Sequence, residues 1–150
     1  MGTGVHVLDT LNYLMGSLPG RLCAFRDPQG EVIDATEHIT LQYGSTIADV
    51  VSSRRMSNRM NHLNIFGTEG TLTVTGLFST AVESSMIIDG KKIKDYRGTN
   101  MYVEEVKAFV NLVEGKESHI ALGEDGYNVV RQVEEAYRLD SSEDLHSMEY

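Results

Sequence analysis

The chain has 150 residues, 41% of them apolar and 23% charged, the proportions of a globular domain long enough to bury a core. Its formal net charge of −9, from 22 acidic against 13 basic side chains, argues against nucleic acid as a partner, because a phosphate backbone selects basic surface. No apolar run approaches the roughly 18 residues of a membrane span, and no basic segment precedes an apolar one at the amino end, so neither a membrane partner nor a secretory leader is expected. A single domain over residues 1–150 is the expectation from length. The lone cysteine, Cys23, lies in the apolar run Leu22-Cys23-Ala24-Phe25 and is expected as a buried, inert thiol of a cytoplasmic protein.

Along the chain, Val5, Leu8, Leu11 and Leu14 recur at three-residue steps, with Val7 and Met15 widening the face. This spacing predicts a short amphipathic helix ended by Gly16. His6 and Asp9, three apart, are neighbours on it. Pro19-Gly20 then turns the chain, and the next eighty or so residues read as short strands between turn signals.

The first strand runs from Arg21 to Arg26, followed by a loop at Asp27-Pro28-Gln29-Gly30. His38, Thr40 and Gln42 alternate with Ile39, Leu41 and Tyr43, the period of a strand with one face buried. Gly44-Ser45 reverses the chain into Thr46 to Ser53, an antiparallel hairpin. Two further hairpins follow: Leu63, Ile65 and Phe66 with Leu72 to Thr75 across Gly67-Thr68-Glu69-Gly70, and Met86 to Ile88 with Lys92 to Lys94 across Asp89-Gly90.

Helical spacing returns with Tyr102, Val106, Phe109, Val110 and Val113, capped by Asn100 and ended by Gly115. A last helix is expected from about Asp125 to Leu139, with Val129, Val130, Val133, Ala136 and Tyr137 inward. Asp140 to Tyr150 reads as a short strand or a tail. This order implies an α+β fold, a mostly antiparallel open sheet with helices packed on one face. The other face of the sheet, with Thr, Gln and His from the His38 strand, is left for solvent or a dimer partner.

Four stretches in order carry a family resemblance. They are Gly4-x-His6-x-x-Asp9 with Leu14 and Gly16; Leu41-x-Tyr43-x-x-Thr46-Ile47-Ala48; Ile65-Phe66-Gly67-Thr68-Glu69-Gly70-Thr71-Leu72; and Asp125-Gly126 with Ala136 and Ser141. Together they resemble the carboxyl-terminal domain of the Gfo/Idh/MocA family of NAD(P)-dependent oxidoreductases, which includes glucose-fructose oxidoreductase and inositol dehydrogenase. The resemblance implies a full-length enzyme whose Rossmann domain binds NAD(P) and supplies a lysine from an E-K-P segment. No G-x-G-x-x-G follows a strand in this chain, so no bound cofactor is expected on it alone. The family often places an aspartate four positions before the histidine, and here that position is Gly2.

Oxidising a secondary alcohol needs a proton acceptor beside the hydroxyl, and histidine as a residue type suits that task near neutral pH. The resemblance makes His6 the catalytic candidate, with Asp9 orienting the imidazole or accepting a substrate hydroxyl; capping and solvation is the alternative for Asp9. Arg54, Arg55 and Arg59, interleaved with Met56 and Met60, form the basic cluster, where arginine forks could bind an anionic part of a substrate or simply decorate a loop. His38, His62, His119 and His146 lack ligand spacing, so no metal site is expected and a surface role is the default. The reading is the substrate-binding and oligomerisation portion of an oxidoreductase acting on a sugar or polyol, inactive alone, with a homodimer or higher oligomer formed through the sheet face. The alternative is a non-catalytic assembly module that dimerises through that face.

Overall fold

A computed structural model describes residues 4–28, 35–57, 61–78, 83–98 and 100–140. The element order is α1 (Gly4–Met15), β1 (Arg21–Asp27), β2 (Thr36–Tyr43), β3 (Thr46–Ser53), β4 (His62–Gly67), β5 (Gly70–Thr75), β6 (Glu83–Ile88), β7 (Lys91–Arg97), α2 (Met101–Val113) and α3 (Gly123–Asp140). The mixed α+β class and the antiparallel hairpins are as the sequence predicts, but the strands divide into two sheets, β1-β2-β3 and β4-β5-β6-β7. The chain correspondingly forms two compact units, residues 1–57 with 121–150, and residues 58–120.

In the first unit, period-two alternation along β2 buries Glu37, Ile39, Leu41 and Tyr43 and turns His38 outward. Register places Ala24 and Val50 on either side of Ile39, so the three strands present one apolar face. Leu8 and Leu11 of α1 and Val129 and Ala136 of α3 close over it as one core with Ala24, Ile39, Leu41, Tyr43 and Val50. Toward the far end of the sheet the guanidinium of Arg26 lies over the Tyr137 ring, 3.7 Å from its centre, joining β1 to α3.

Two sequence expectations fail in this unit. Cys23 is exposed, because β1 alternates and turns Leu22 and Ala24 inward, leaving the thiol on the open side. Val130 is 54% exposed whereas Gln132 is 8% exposed, so a polar side chain occupies the inner face of α3 where an aliphatic one was expected. The reason is a hydrogen-bonding partner across the core, described below.

In the second unit, β4 to β7 form an antiparallel meander with a bulge between Met86 and Ile87. Asp89 and Gly90 take φ of 48° and 75°, the paired positive values of a tight hairpin turn. The Asp89 carboxylate accepts hydrogen bonds from the Thr71 backbone N–H at 2.7 Å and the Thr71 hydroxyl at 3.2 Å, tying this turn to the Gly67–Gly70 turn. Asn100 caps α2, its side-chain oxygen accepting from the Tyr102 N–H at 3.0 Å. The stripe Tyr102, Val106, Phe109 and Val113 forms as spaced, yet no residue of α2 is buried. Spacing fixes which side chains share a helix face; it does not provide the surface that covers them.

Candidate functional site

The site is the outward side of α1. Gly4, Leu8 and Leu11 face the core, and at about 100° per residue His6 and Tyr13 fall on the opposite side, with Asp9 and Thr10 flanking them. His6 and Tyr13 are exposed and Asp9 is half-buried. No hydrogen bond or ion pair joins His6 to Asp9; the Thr10 hydroxyl donates back to the His6 carbonyl at 2.8 Å, which removes that hydroxyl from the outward set. Gly16, at φ 62°, ends the helix where the sequence places its stop.

A polar knot fixes this helix against its support. The Asn12 amide donates to Gln132 Oε1 at 3.1 Å, and Asn12 Oδ1 accepts from Gln132 Nε2 at 3.0 Å and from the Tyr43 hydroxyl at 2.9 Å. One side chain of α1 thereby holds α3 and the end of β2 together. Burial pushes the Tyr43 phenol up to about 12. Sequence spacing gave no sign of this trio, since its members lie far apart in the chain; the signal available was two amides set among the apolar positions of two amphipathic helices.

Arg54 and Arg55 are exposed just beyond β3; the Arg54 N–H donates to the Ala35 carbonyl at 2.8 Å, and the Arg55 guanidinium pairs with the Asp27 carboxylate. Neither is hydrogen-bonded or ion-paired to His6 or Asp9. Arg59, Met60, His146, Ser141 and Gly2 lie outside the described residues, as do the end of the Asp27–Gly30 loop and the tail from residue 141. Among the described residues no three histidine, cysteine, aspartate or glutamate side chains group as a metal ion would need.

On the open face of the three-stranded sheet, His38 Nε2 stands 3.2 Å from Asp49 Oδ1, and the Thr40 hydroxyl donates to the same oxygen at 2.7 Å. The Thr40 hydroxyl first, and His38 second, hold the Asp49 carboxyl below its usual range. Phe25, Ile47 and Val51 stand exposed around this polar group. His119 sits 3.6 Å from Glu117, and both are largely exposed.

The Gly67/Gly70 pair does not fit a dinucleotide. The glycine pair of the sequence, Gly67 and Gly70, closes the β4–β5 hairpin with no helix amino end behind it, so its N–H groups are not gathered for a pyrophosphate. No described helix is long and apolar enough to cross a membrane.

Residues 1–73 match the GFO/IDH/MocA C-terminal domain, a stretch that contains α1 and three of the four motifs read from the sequence. Over this stretch, just under half of the chain, the sequence is similar to that family. No curated protein matches the sequence. Among solved structures, the fold is similar to the UDP-N-acetylglucosamine 3-dehydrogenase GnnA from Acidithiobacillus ferrooxidans, with a TM-score of 0.74 at 15% identity, over 90% of this chain and 44% of that one. It is also similar to yvaA from Bacillus subtilis, designated an oxidoreductase, with a TM-score of 0.67 at 20% identity, over 93% of this chain and 50% of that one. A third, from Klebsiella pneumoniae and likewise designated an oxidoreductase, gives 0.70 at 14% identity, over 93% of this chain and 46% of that one. The chain thus spans about half the length of the structures it resembles.

Proposed function

We infer that this chain is the substrate-facing portion of an NAD(P)-dependent oxidoreductase acting on a sugar or polyol hydroxyl. The observation that carries the reading is α1 itself: within the family-matching stretch, it presents His6 and Asp9 outward while Leu8, Leu11 and the Asn12 knot hold its other side rigid. A sugar-nucleotide dehydrogenase among the structures of this fold supports a carbohydrate hydroxyl as the reacting group. His6 takes the proton of that hydroxyl, and Asp9 accepts a hydrogen bond from a neighbouring one, a division that suits a base beside an acceptor. Arg54 and Arg55 are second-rank candidates for substrate contact, since Arg55 already serves Asp27.

Carbinol oxidation also needs a hydride acceptor, and the glycine pair of this chain closes a hairpin rather than opening a helix for one. The isolated chain is therefore expected neither to bind NAD⁺ or NADP⁺ at micromolar concentration nor to turn over polyols, and saturable micromolar binding by calorimetry would contradict this. In an oxidoreductase that includes this chain, His6→Ala should lower turnover by about 100-fold or more, the usual worth of a general base, while leaving the melting temperature unchanged because His6 is exposed. Unaltered turnover would remove the assignment. The exposed Phe25, Ile47 and Val51 on the open sheet face support a homodimer formed through that face.

A further inference from the structure

Tyr13 is 73% exposed and lies on the side of α1 directly away from Leu8 and Leu11. It is aligned with His6, seven residues and two helical turns away, which at 1.5 Å per residue puts their Cα atoms about 10.5 Å apart along one straight ridge. Asp9 lies between them on the same side. The ridge thus offers a base, a hydroxyl acceptor and an aromatic face in a row longer than one pyranose ring.

We propose that Tyr13 is a specificity-determining residue, a platform for a second ring, and that the substrate is an uncharged glycoside of at least two sugar units. This rests on the reading of His6 given above: the reacting ring sits at His6 and Asp9, and its neighbour lies flat on Tyr13. The C–H face of a pyranose carries weak positive charge and is complementary to the negative face of an aromatic ring. Charge selects against the obvious rival, a sugar nucleotide. α1 contains no lysine or arginine to meet its diphosphate, and the Asp9 carboxylate on the same side would repel it. Uncharged hydroxyls meet no such penalty there.

The test uses the isotopically labelled 150-residue chain and backbone amide NMR, with three probes: methyl β-cellobioside, methyl β-glucoside and UDP-N-acetylglucosamine. The cellobioside should shift amides around both His6 and Tyr13, and the glucoside those around His6 alone. The cellobioside should bind roughly three- to tenfold more tightly, the range expected for one aromatic contact. Tyr13→Ala should erase that difference and Tyr13→Phe should keep it, both without a change in melting temperature. If the cellobioside shows no advantage, if the Tyr13 amides stay still while those of His6 move, or if the sugar nucleotide binds through Tyr13 more tightly than the cellobioside, the platform is overturned and the His6 reading survives. If no sugar moves the His6 amides, that reading and the platform on it both fall.

Discussion

At the scale of single residues, the Asn12, Gln132 and Tyr43 trio gives the sharpest expectations, because each member loses something different. Tyr43→Phe removes one hydrogen bond and leaves Asn12 Oδ1 still served by Gln132, so it should destabilise by about 1 kcal/mol. It should also alter the alkaline response. The folded phenol titrates at about 12 against 10.0 for the ordinary group, so the unfolded chain gives up its proton first. The contribution is complete below about pH 10 and is lost as pH rises toward 12, so the difference in stability between wild type and Tyr43→Phe should shrink across that window. Denaturant melts at pH 8 and at pH 11.5 measure it; a constant difference would mean that the phenol is not buried as described.

Breaking the amide pair from one side is more damaging than removing it. Gln132→Leu leaves the Asn12 amide N–H without an acceptor in a half-buried site, at about 1–3 kcal/mol. Asn12→Leu with Gln132→Leu should recover part of that loss, and a double-mutant cycle with zero coupling would show the contact to be incidental. On the open face, Thr40→Val removes the chief hydrogen bond to Asp49, so the Asp49 carboxyl should titrate at higher pH than in the wild type by carbon-detected NMR.

At the scale of elements, period and turn chemistry were nearly sufficient. The alternation in β2 and the glycines at 16, 44, 90 and 115, all with positive φ, set boundaries that the sequence shows directly, because they depend on neighbours a few residues away. What stayed hidden depends on distant neighbours. Gln132 turns inward because Asn12, 120 positions earlier, waits for it, and Cys23 turns outward because the register of β1 assigns Leu22 and Ala24 to the core. The candidate site divides in the same way: His6 and Asp9 were legible as a pair on one helix, whereas the outward alignment of Tyr13 mattered only once α1 was seen seated on its support. Leu8→Ala probes that seating, since Leu8 is fully buried between helix and sheet; a loss of about 2–5 kcal/mol is expected in a denaturant melt, and a loss below 1 kcal/mol would mean that α1 is loosely held.

At the scale of the whole molecule, the open face of β1-β2-β3 decides between a chain that works as one copy and a chain that works as two. Cross-strand register sets Phe25, His38 and Val51 in one row, Cys23, Thr40 and Asp49 in the next, and Arg21, Gln42 and Ile47 in a third. Phe25 and Val51 thus flank His38 in the first row and Ile47 stands in the third, while Thr40 and Asp49 lie in the middle row and Asp49 accepts from Thr40 and pairs with His38. A second copy centred on the first two rows would meet an Asp49 carboxylate already hydrogen-bonded by its neighbours, with Arg21 and Gln42 left at the solvated rim. Each copy carries a net charge of −9, so long-range repulsion opposes the pairing, and added salt should strengthen it by screening, the reverse of what a charge-driven interface shows. Light scattering should therefore give twice the 16.7 kDa chain mass, with the dimer more stable at high than at low ionic strength. Val51→Arg places a charge in the first row at an exposed position and should return the protein to a monomer with its melting temperature at low concentration unchanged. A wild-type chain that stays monomeric at all concentrations, or a Val51→Arg variant that dimerises as well as the wild type, would leave this face to solvent.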